Sequence, residues 1–335
     1  MSKAIGRRDF LGKGVKAGLA SVLAGEFLAK VPGGLWAAPA AAGPEIVVAS
    51  GTDYGAAAVK AVEGLGGMGR FIRKGSRVAL LPNVQSRHPG TTTKPEIFRA
   101  VVKMCREAGA ADLAVLSLLT PQHSEAAGLS RVAGEEGVEI KHIAADPGLY
   151  RSVPVPRGLL FKEASVPVEF FNYDAYLNLP ITKDHAGNRF TGALKNQMGL
   201  NSRASNRFFH KPNWKTDPAD VEHLEVCIVD LNLIFNPALS LVDATEVITS
   251  NGPMGPGDLL KALQHFRFRK HEVVVFHVMA AEVLDGTAFA ASGYVGDYVA
   301  ASDTVTVPAG QTAATLSVAV SGASQPPMRV FTQPG

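Results

Sequence analysis

The chain has 335 residues, of which 46% are apolar and 19% charged, the balance of a soluble globular protein that buries a core in one large domain or two small ones. A net charge of +3, partly carried by the N-terminal segment, and only 7% aromatic residues with no basic run interleaved among them argue against nucleic acid as a partner. The two cysteines, Cys105 and Cys227, cannot supply the roughly four ligands of a structural zinc site or a cysteine-held iron–sulfur cluster, so no such cluster is expected.

Gly6-Arg7-Arg8-Asp9-Phe10-Leu11 opens the chain, with Lys13 and Lys16 close behind. A mildly apolar stretch, Ala17 to Ala29, leads to Pro32-Gly33-Gly34 and the small residues Ala38-Pro39-Ala40-Ala41-Ala42. A charged region, a short apolar region and a small-residue cleavage zone make a secretory signal, and paired arginines before Phe-Leu resemble the twin-arginine form. Gly18, Gly25 and Glu26 make the apolar part too weak and short for a bilayer span of about 20 residues. Residues 1–42 are therefore expected to be cleaved after Ala40 or Ala42. The mature protein is expected to be periplasmic or extracellular, without a membrane span, with the twin-arginine export machinery as a partner.

In the mature chain, Ile46 to Ala49 reads as a strand and Tyr54 to Leu65 as a helix closed by Gly66-Gly67. Arg77 to Leu81 is a second strand, stopped by Pro82-Asn83. Thr93-Lys94-Pro95-Glu96 has the pattern of a capping box with proline in the first turn, opening a helix whose apolar face is Ile97, Val101 and Cys105 and which Gly109 ends. Asp112 to Leu119 is a nearly unbroken apolar strand, followed by a helix over Ser124 to Glu136 and a strand over Val138 to Ile143. This alternation predicts an α/β fold: a mainly parallel sheet with helices on both faces. Tyr150 to Phe171 reads as a hairpin or small β insertion, and Tyr173 to Leu179 returns to a buried strand. Pro180 to Lys215 is a long polar segment with one short helical stretch near Gly192 to Met198. Ala219 to Phe235 is helical, with both cysteines of the chain expected on helices as buried free thiols, a single disulfide between them being the alternative in an oxidising compartment; Leu239 to Asp243 is a strand and Asn251 to Gly257 a glycine- and proline-rich loop.

Several of these segments resemble the domain-of-unknown-function 362 family in its twin-arginine-exported form. They are Leu81-Pro82-Asn83, the helix from Lys94-Pro95-Glu96 to Gly109-Ala110, Leu179-Pro180-Ile181-Thr182-Lys183-Asp184-His185, Gly192 to Gly199, Val242-Asp243-Ala244-Thr245 and Asn251-Gly252-Pro253. The resemblance spans about residues 70 to 258 and implies a fold more than a function. Some relatives carry ferredoxin-like cysteine motifs, which are missing here. A fainter similarity of the lysine–histidine segment to the lactate-racemase-like nickel proteins implies that Lys183 and His185 could hold a cofactor. The expected organisation is a signal at 1–42, an α/β domain at 43–258 and a graft-like, irregular β-rich C-terminal segment at 259–335. Within that segment, His265 to Leu284 resembles part of domain of unknown function 58, and Gly286 to Val320 resembles the latter half of a Calx-beta repeat.

Lys183, His185, Lys195, Asn196, His210 and Lys211 lie within about thirty residues of the polar segment, where strand ends of open α/β sheets lead into ligand-binding loops. Cations beside a helix N-terminus near Gly192 favour a carboxylate or phosphate, and a histidine among them supplies an acid, a base or a metal ligand. Lys183, His185 and Lys195 are thus the candidate catalytic residues; Asn83, Asn196, His210, Asp243 and Asn251 are the candidate ligand-binding residues. No metal identity follows from the sequence, and the expected ligand is a small anion. For Asp243 the alternatives are binding a metal, orienting a lysine or capping a turn. Asn83 ends a strand, where an asparagine commonly satisfies a turn, and turn chemistry explains Asn251-Gly252-Pro253 as well as close approach to a ligand does. His223 and Asp230, on one helical stripe with Cys227, read as a surface pair or as one wall of a site. No Walker loop, Gly-x-Ser-x-Gly elbow or His-Glu-x-x-His helix occurs. Three readings stay open: an exported enzyme with an anionic-ligand or metal-assisted site, a non-catalytic binding or adhesion module, and an inactive chimeric product.

Overall fold

The structure, a computed structural model, describes residues 47–49, 51–261, 313–316 and 328–331. The signal-like segment, the stretch His265 to Leu284 and most of Gly286 to Val320 lie outside the described residues. In chain order the elements begin with Val47–Ala49 (β1), Tyr54–Gly64 (α1), Arg77–Pro82 (β2), Pro95–Glu107 (α2), Asp112–Ser117 (β3), Pro121–Ala126 (α3), Leu129–Glu135 (α4) and Glu139–His142 (β4). Then come Tyr150–Pro154 (β5), Glu163–Pro167 (β6), Ala175–Leu179 (β7), Lys183–His185 (β8), Arg189–Thr191 (β9), Ala193–Asn196 (α5), Arg203–Phe209 (α6) and Pro218–Asn232 (α7). Leu239–Ser240 (β10), Glu246–Ile248 (β11), Leu259–Lys261 (β12), Ala313–Leu316 (β13) and Met328–Phe331 (β14) complete the set.

The main sheet has five strands in the order β10-β7-β2-β3-β4, all parallel. The chain starts this sheet in the middle at β2, runs outward through β3 and β4, then returns to the other side of β2 with β7 and β10. This is a doubly wound α/β arrangement, and its direction of winding reverses between β2 and β7. Alternation along the strands sends neighbouring side chains to opposite faces. Val78 and Leu80 of β2 join Val115 and Leu177 against α1, α2 and α4, through Val62, Phe98, Val102 and Leu129. Ala79 and Leu81 join Leu116 and Tyr176 against the other layer, built from α7, the β5–β6 hairpin and Phe170. Each fully buried leucine in these layers contributes about 1.5–3 kcal/mol. Cys105 and Cys227 sit in opposite layers, both buried and unbridged, and burial pushes each thiol up to about 12. The mainly parallel sheet, the helices on both faces and the small β insertion thus take the form expected from the alternation of elements. Beyond the sheet, β14 pairs in parallel with β1 and antiparallel with β13.

Several local expectations are corrected. The Thr93–Glu96 capping box is not made: Lys94 is the N-cap residue, Pro95 follows it, and the Thr93 hydroxyl bonds elsewhere. The helix expected over Ser124 to Glu136 is two helices, α3 and α4, because Gly128 takes a left-handed conformation (φ 72°) between them. The long polar segment holds more structure than its composition suggested: an antiparallel β8–β9 hairpin and a second helix, α6. His223 and Asp230 are not a surface pair, since both are buried. The carboxylate of Asp230 accepts the backbone N–H groups of Leu159, Leu160 and Phe161 at 2.7, 2.7 and 2.8 Å, anchoring the hairpin loop to α7. The ring of His223 meets the carbonyl oxygen of Phe208 at 3.0 Å. That stripe helps hold the second layer together.

Candidate functional site

Ligands of doubly wound sheets bind outside the carboxyl ends of the strands where the winding reverses. Here those ends are Leu81-Pro82-Asn83 after β2 and Leu179-Pro180 after β7. The two are tied by Thr93, whose hydroxyl donates to the Leu179 carbonyl at 2.5 Å and accepts from the Asn83 backbone N–H at 2.9 Å. Beyond them lies the β8–β9 hairpin, whose Lys183 reaches back to Asn83. Its register pairs Lys183 with Thr191 and His185 with Arg189, so these four project to one side, opposite to Asp184 and Phe190.

Lys183 is 2% exposed, and its ammonium donates to Asn83 Oδ1 at 3.0 Å, Gln85 Oε1 at 3.2 Å and the Thr91 carbonyl at 2.5 Å. From Asn83 a chain of amides continues. Asn83 Nδ2 donates to Asn196 Oδ1 at 2.9 Å, Asn196 Nδ2 to Asn178 Oδ1 at 2.8 Å, and Asn178 Nδ2 to the Ala193 carbonyl at 3.0 Å. Every amide points the same way, so each bond polarises the next toward the ammonium. Among the described residues Lys183 has no carboxylate partner, and burial, with repulsion from Lys195 second, brings its pKa down to about 7.

Lys195, on α5, is half-buried; the contact of its ammonium is Met198 Sδ at 3.6 Å, a weak acceptor, and burial lowers its pKa to about 7. His185 is buried and His210 half-buried, and both are depressed below the usual histidine range by burial first and Lys195 next, His185 to about 2. Their rings lie 6.4 Å apart between centroids, and each packs on Trp214, at 5.0 and 4.9 Å. The ring of Trp214 and its backbone crowd Gly187, where a Cβ would stand 2.3 Å from the Trp214 carbonyl oxygen. Thr191, 2% exposed, has a hydroxyl without a hydrogen-bond partner beside this cluster.

Of the residues picked out from sequence, Lys183, His185, Lys195, Asn83, Asn196 and His210 are brought together. Asp243 is not among them. It is buried, and its carboxylate faces Lys94 (backbone N–H at 3.1 Å, ammonium at 3.4 Å) and Thr245 (backbone N–H at 3.1 Å, hydroxyl at 2.7 Å); of its three readings, it holds a lysine and caps a turn. Asn251 is exposed with φ 52°, and its amide donates to the Pro256 carbonyl at 2.8 Å, closing a turn. Lys211 is exposed. The helix near Gly192 is a single four-residue turn, too short to direct a macrodipole at an anion. Lys183 also does not suit the cofactor role that the nickel-protein similarity implied, because all three of its hydrogens are used by protein oxygens. Sequence reasoning missed Asn178, Thr93, Thr191, Gln85 and Trp214. Only Asn178 left a signal, as the one amide in the otherwise apolar strand β7.

Among the described residues, no three His, Cys, Asp or Glu side chains gather as a metal-ligand set. The cluster is made of ammonium, imidazole, amide and hydroxyl groups, a donor set suited to an anion. Fold and site together define a doubly wound α/β protein with a basic cluster, free of carboxylates among the described residues, at the point where the sheet's winding reverses. The chain belongs to the family described as domain of unknown function (DUF362), which it matches over residues 78–284. That match continues past residue 258 and through His265 to Leu284. A thylakoid-associated protein of Synechocystis, sll1697, is 28% identical over 200 residues, covering 58% of this chain; the chain thus spans about three-fifths (59%) of that relative's length. A protein of Thermotoga maritima of known structure aligns with a TM-score of 0.37 and 16% identity, over 60% of this chain and 51% of that one.

Proposed function

We propose that the cluster binds a small carboxylate- or phosphate-bearing molecule and that the protein acts on it as an enzyme. One observation carries this: Lys195 holds its ammonium half-buried beside Lys183, His185 and His210 with only a thioether for a partner among the described residues. Burial first of all disfavours the charged forms of these groups, and a bound anion would offset that cost, with Thr191 giving it a further donor. Lys183 acts through its charge and by fixing Asn83, since its hydrogens are spent.

The test is calorimetric titration of the purified protein with inorganic phosphate and with pyruvate. Saturable binding that weakens at least about tenfold in Lys195→Ala supports the proposal. No binding of either, or equal binding by Lys195→Ala, removes it. A second part of the proposal is export by the twin-arginine route, supported by Arg7-Arg8-Asp9-Phe10-Leu11 and the small-residue zone ending at Ala42. Changing Arg7 and Arg8 together to lysine should keep the protein in the cytoplasmic fraction of a cell that exports the unaltered chain. Unchanged fractionation would contradict it.

A further inference from the structure

The two histidines of the cluster have their ring nitrogens committed in opposite senses. At His185, Nδ1 lies 3.2 Å from the backbone nitrogen of Gly187. An amide N–H can only donate, so this Nδ1 keeps a lone pair, and in the neutral ring the proton is on Nε2. At His210, Nδ1 lies 2.9 Å from the Asn206 carbonyl oxygen. A carbonyl can only accept, so here Nδ1 carries the proton and Nε2 has the lone pair. Burial and the nearby lysines keep both rings neutral around pH 7. Trp214 packs against both, and no contact among the described residues uses either Nε2. The cluster therefore presents one fixed N–H donor and one fixed lone pair beside a cation.

We infer that this pair moves a proton on the bound anion, His210 acting as the base and His185 as the donor to developing oxyanion charge, with small 2-oxo acids as the substrate class. The inference rests on the anion-binding reading above. Lys195 takes the carboxylate, and the Nε2–H of His185 points to the carbonyl oxygen. Nε2 of His210 accepts a proton from the carbon next to the carbonyl. The C–H electron pair becomes the carbon–carbon π bond of the enolate, and the carbonyl π pair moves to oxygen, which accepts the His185 hydrogen bond. Return of a proton from the His210 imidazolium reverses the step, so the net change is exchange of that hydrogen with solvent, with no oxidant or reductant consumed. A neutral imidazole suits the donor role because its charge and tautomer do not change as the oxyanion forms.

The experiment follows the methyl proton signal of pyruvate in deuterated buffer with the purified protein, alongside calorimetric binding of pyruvate and phosphate. Expected are catalysed loss of the signal and a fall of at least about 100-fold in His210→Gln, the size usual for a positioned base. Nitrogen-15 spectra of the unaltered protein, which need no variant to fold, should show His185 protonated at Nε2 and His210 at Nδ1. Binding of pyruvate with exchange no faster than buffer overturns the proton-transfer role and leaves anion binding standing. Failure of both anions to bind removes both. Exchange unchanged in His210→Gln, or the reverse tautomers, overturns the assignment of roles.

Discussion

The ammonium of Lys183 meets Asn83 Oδ1 at 3.0 Å, joining residues 100 positions apart on the two sides of the sheet's reversal point. That bond sets the start of the amide chain through Asn196 and Asn178, so the reversal point is braced by polar groups that satisfy one another.

Asn83 is the first place to test this brace. In Asn83→Ala, Lys183 loses an acceptor and Asn196 a donor, both in a buried setting. We expect a loss of about 2–4 kcal/mol in unfolding free energy, read by urea denaturation. A loss below about 0.5 kcal/mol would mean the amide chain is incidental.

Anion binding should weaken as pH rises through about 7. Both Lys183 and Lys195 have pKa values brought down to about 7, so their positive charge is lost above that value rather than above 10 as in free lysine. Calorimetric titrations with phosphate's pH-independent relative, sulfate, from pH 6 to pH 9 would show this. An affinity flat across that range would contradict it.

Stability of the ligand-free protein should move the other way. With folded-state pKa values near 7 and unfolded values near 10.5, the unfolded chain holds more protons between those limits, so the unfolding free energy rises with pH across that window. His185, depressed to about 2 from 6.5, adds a loss of stability as pH falls below about 6.5. In Lys195→Met the charge is gone, and Tm should rise more at pH 6 than at pH 9. Equal shifts at both would remove Lys195 from this account.

Gly187→Ala tests the platform under the histidines without touching a charge. Its Cβ would stand 2.3 Å from the Trp214 carbonyl oxygen, so Trp214 must move and with it the rings of His185 and His210. We expect phosphate binding to weaken at least about fivefold, measured beside Tm to show that the fold persists. Undiminished affinity would show that the platform does not position the site.

Asp230→Ala should be structural only. Three backbone N–H groups lose a buried carboxylate, at a cost of about 3 kcal/mol in denaturant unfolding. Folded protein should bind phosphate as before.

The helix Pro95–Glu107 and the strands Arg77–Pro82, Asp112–Ser117 and Ala175–Leu179 were legible because apolar spacing along a short stretch decides them. Gly128 was harder to read. A glycine inside an apolar period is compatible with a continuous helix, and only packing of Leu129 and Val132 against the sheet makes the break worthwhile. Thr93 shows the same limit. Its sequence context satisfies a capping box, yet the carbonyl of Leu179, brought close by strand pairing, competes for its hydroxyl.

By itself, the sequence determined the doubly covered parallel sheet and drew attention to Lys183, His185, Lys195, Asn83, Asn196 and His210, because burial patterns and residue chemistry are written locally. Tertiary structure alone decided that Asp243 serves Lys94, that Asn251 closes a turn, that Asp230 anchors a hairpin and that Nδ1 of His185 meets a backbone N–H while Nδ1 of His210 meets a carbonyl. Those outcomes depend on which backbone donor or acceptor comes within about 3 Å, and partners remote in the chain meet only once the sheet has wound in both directions.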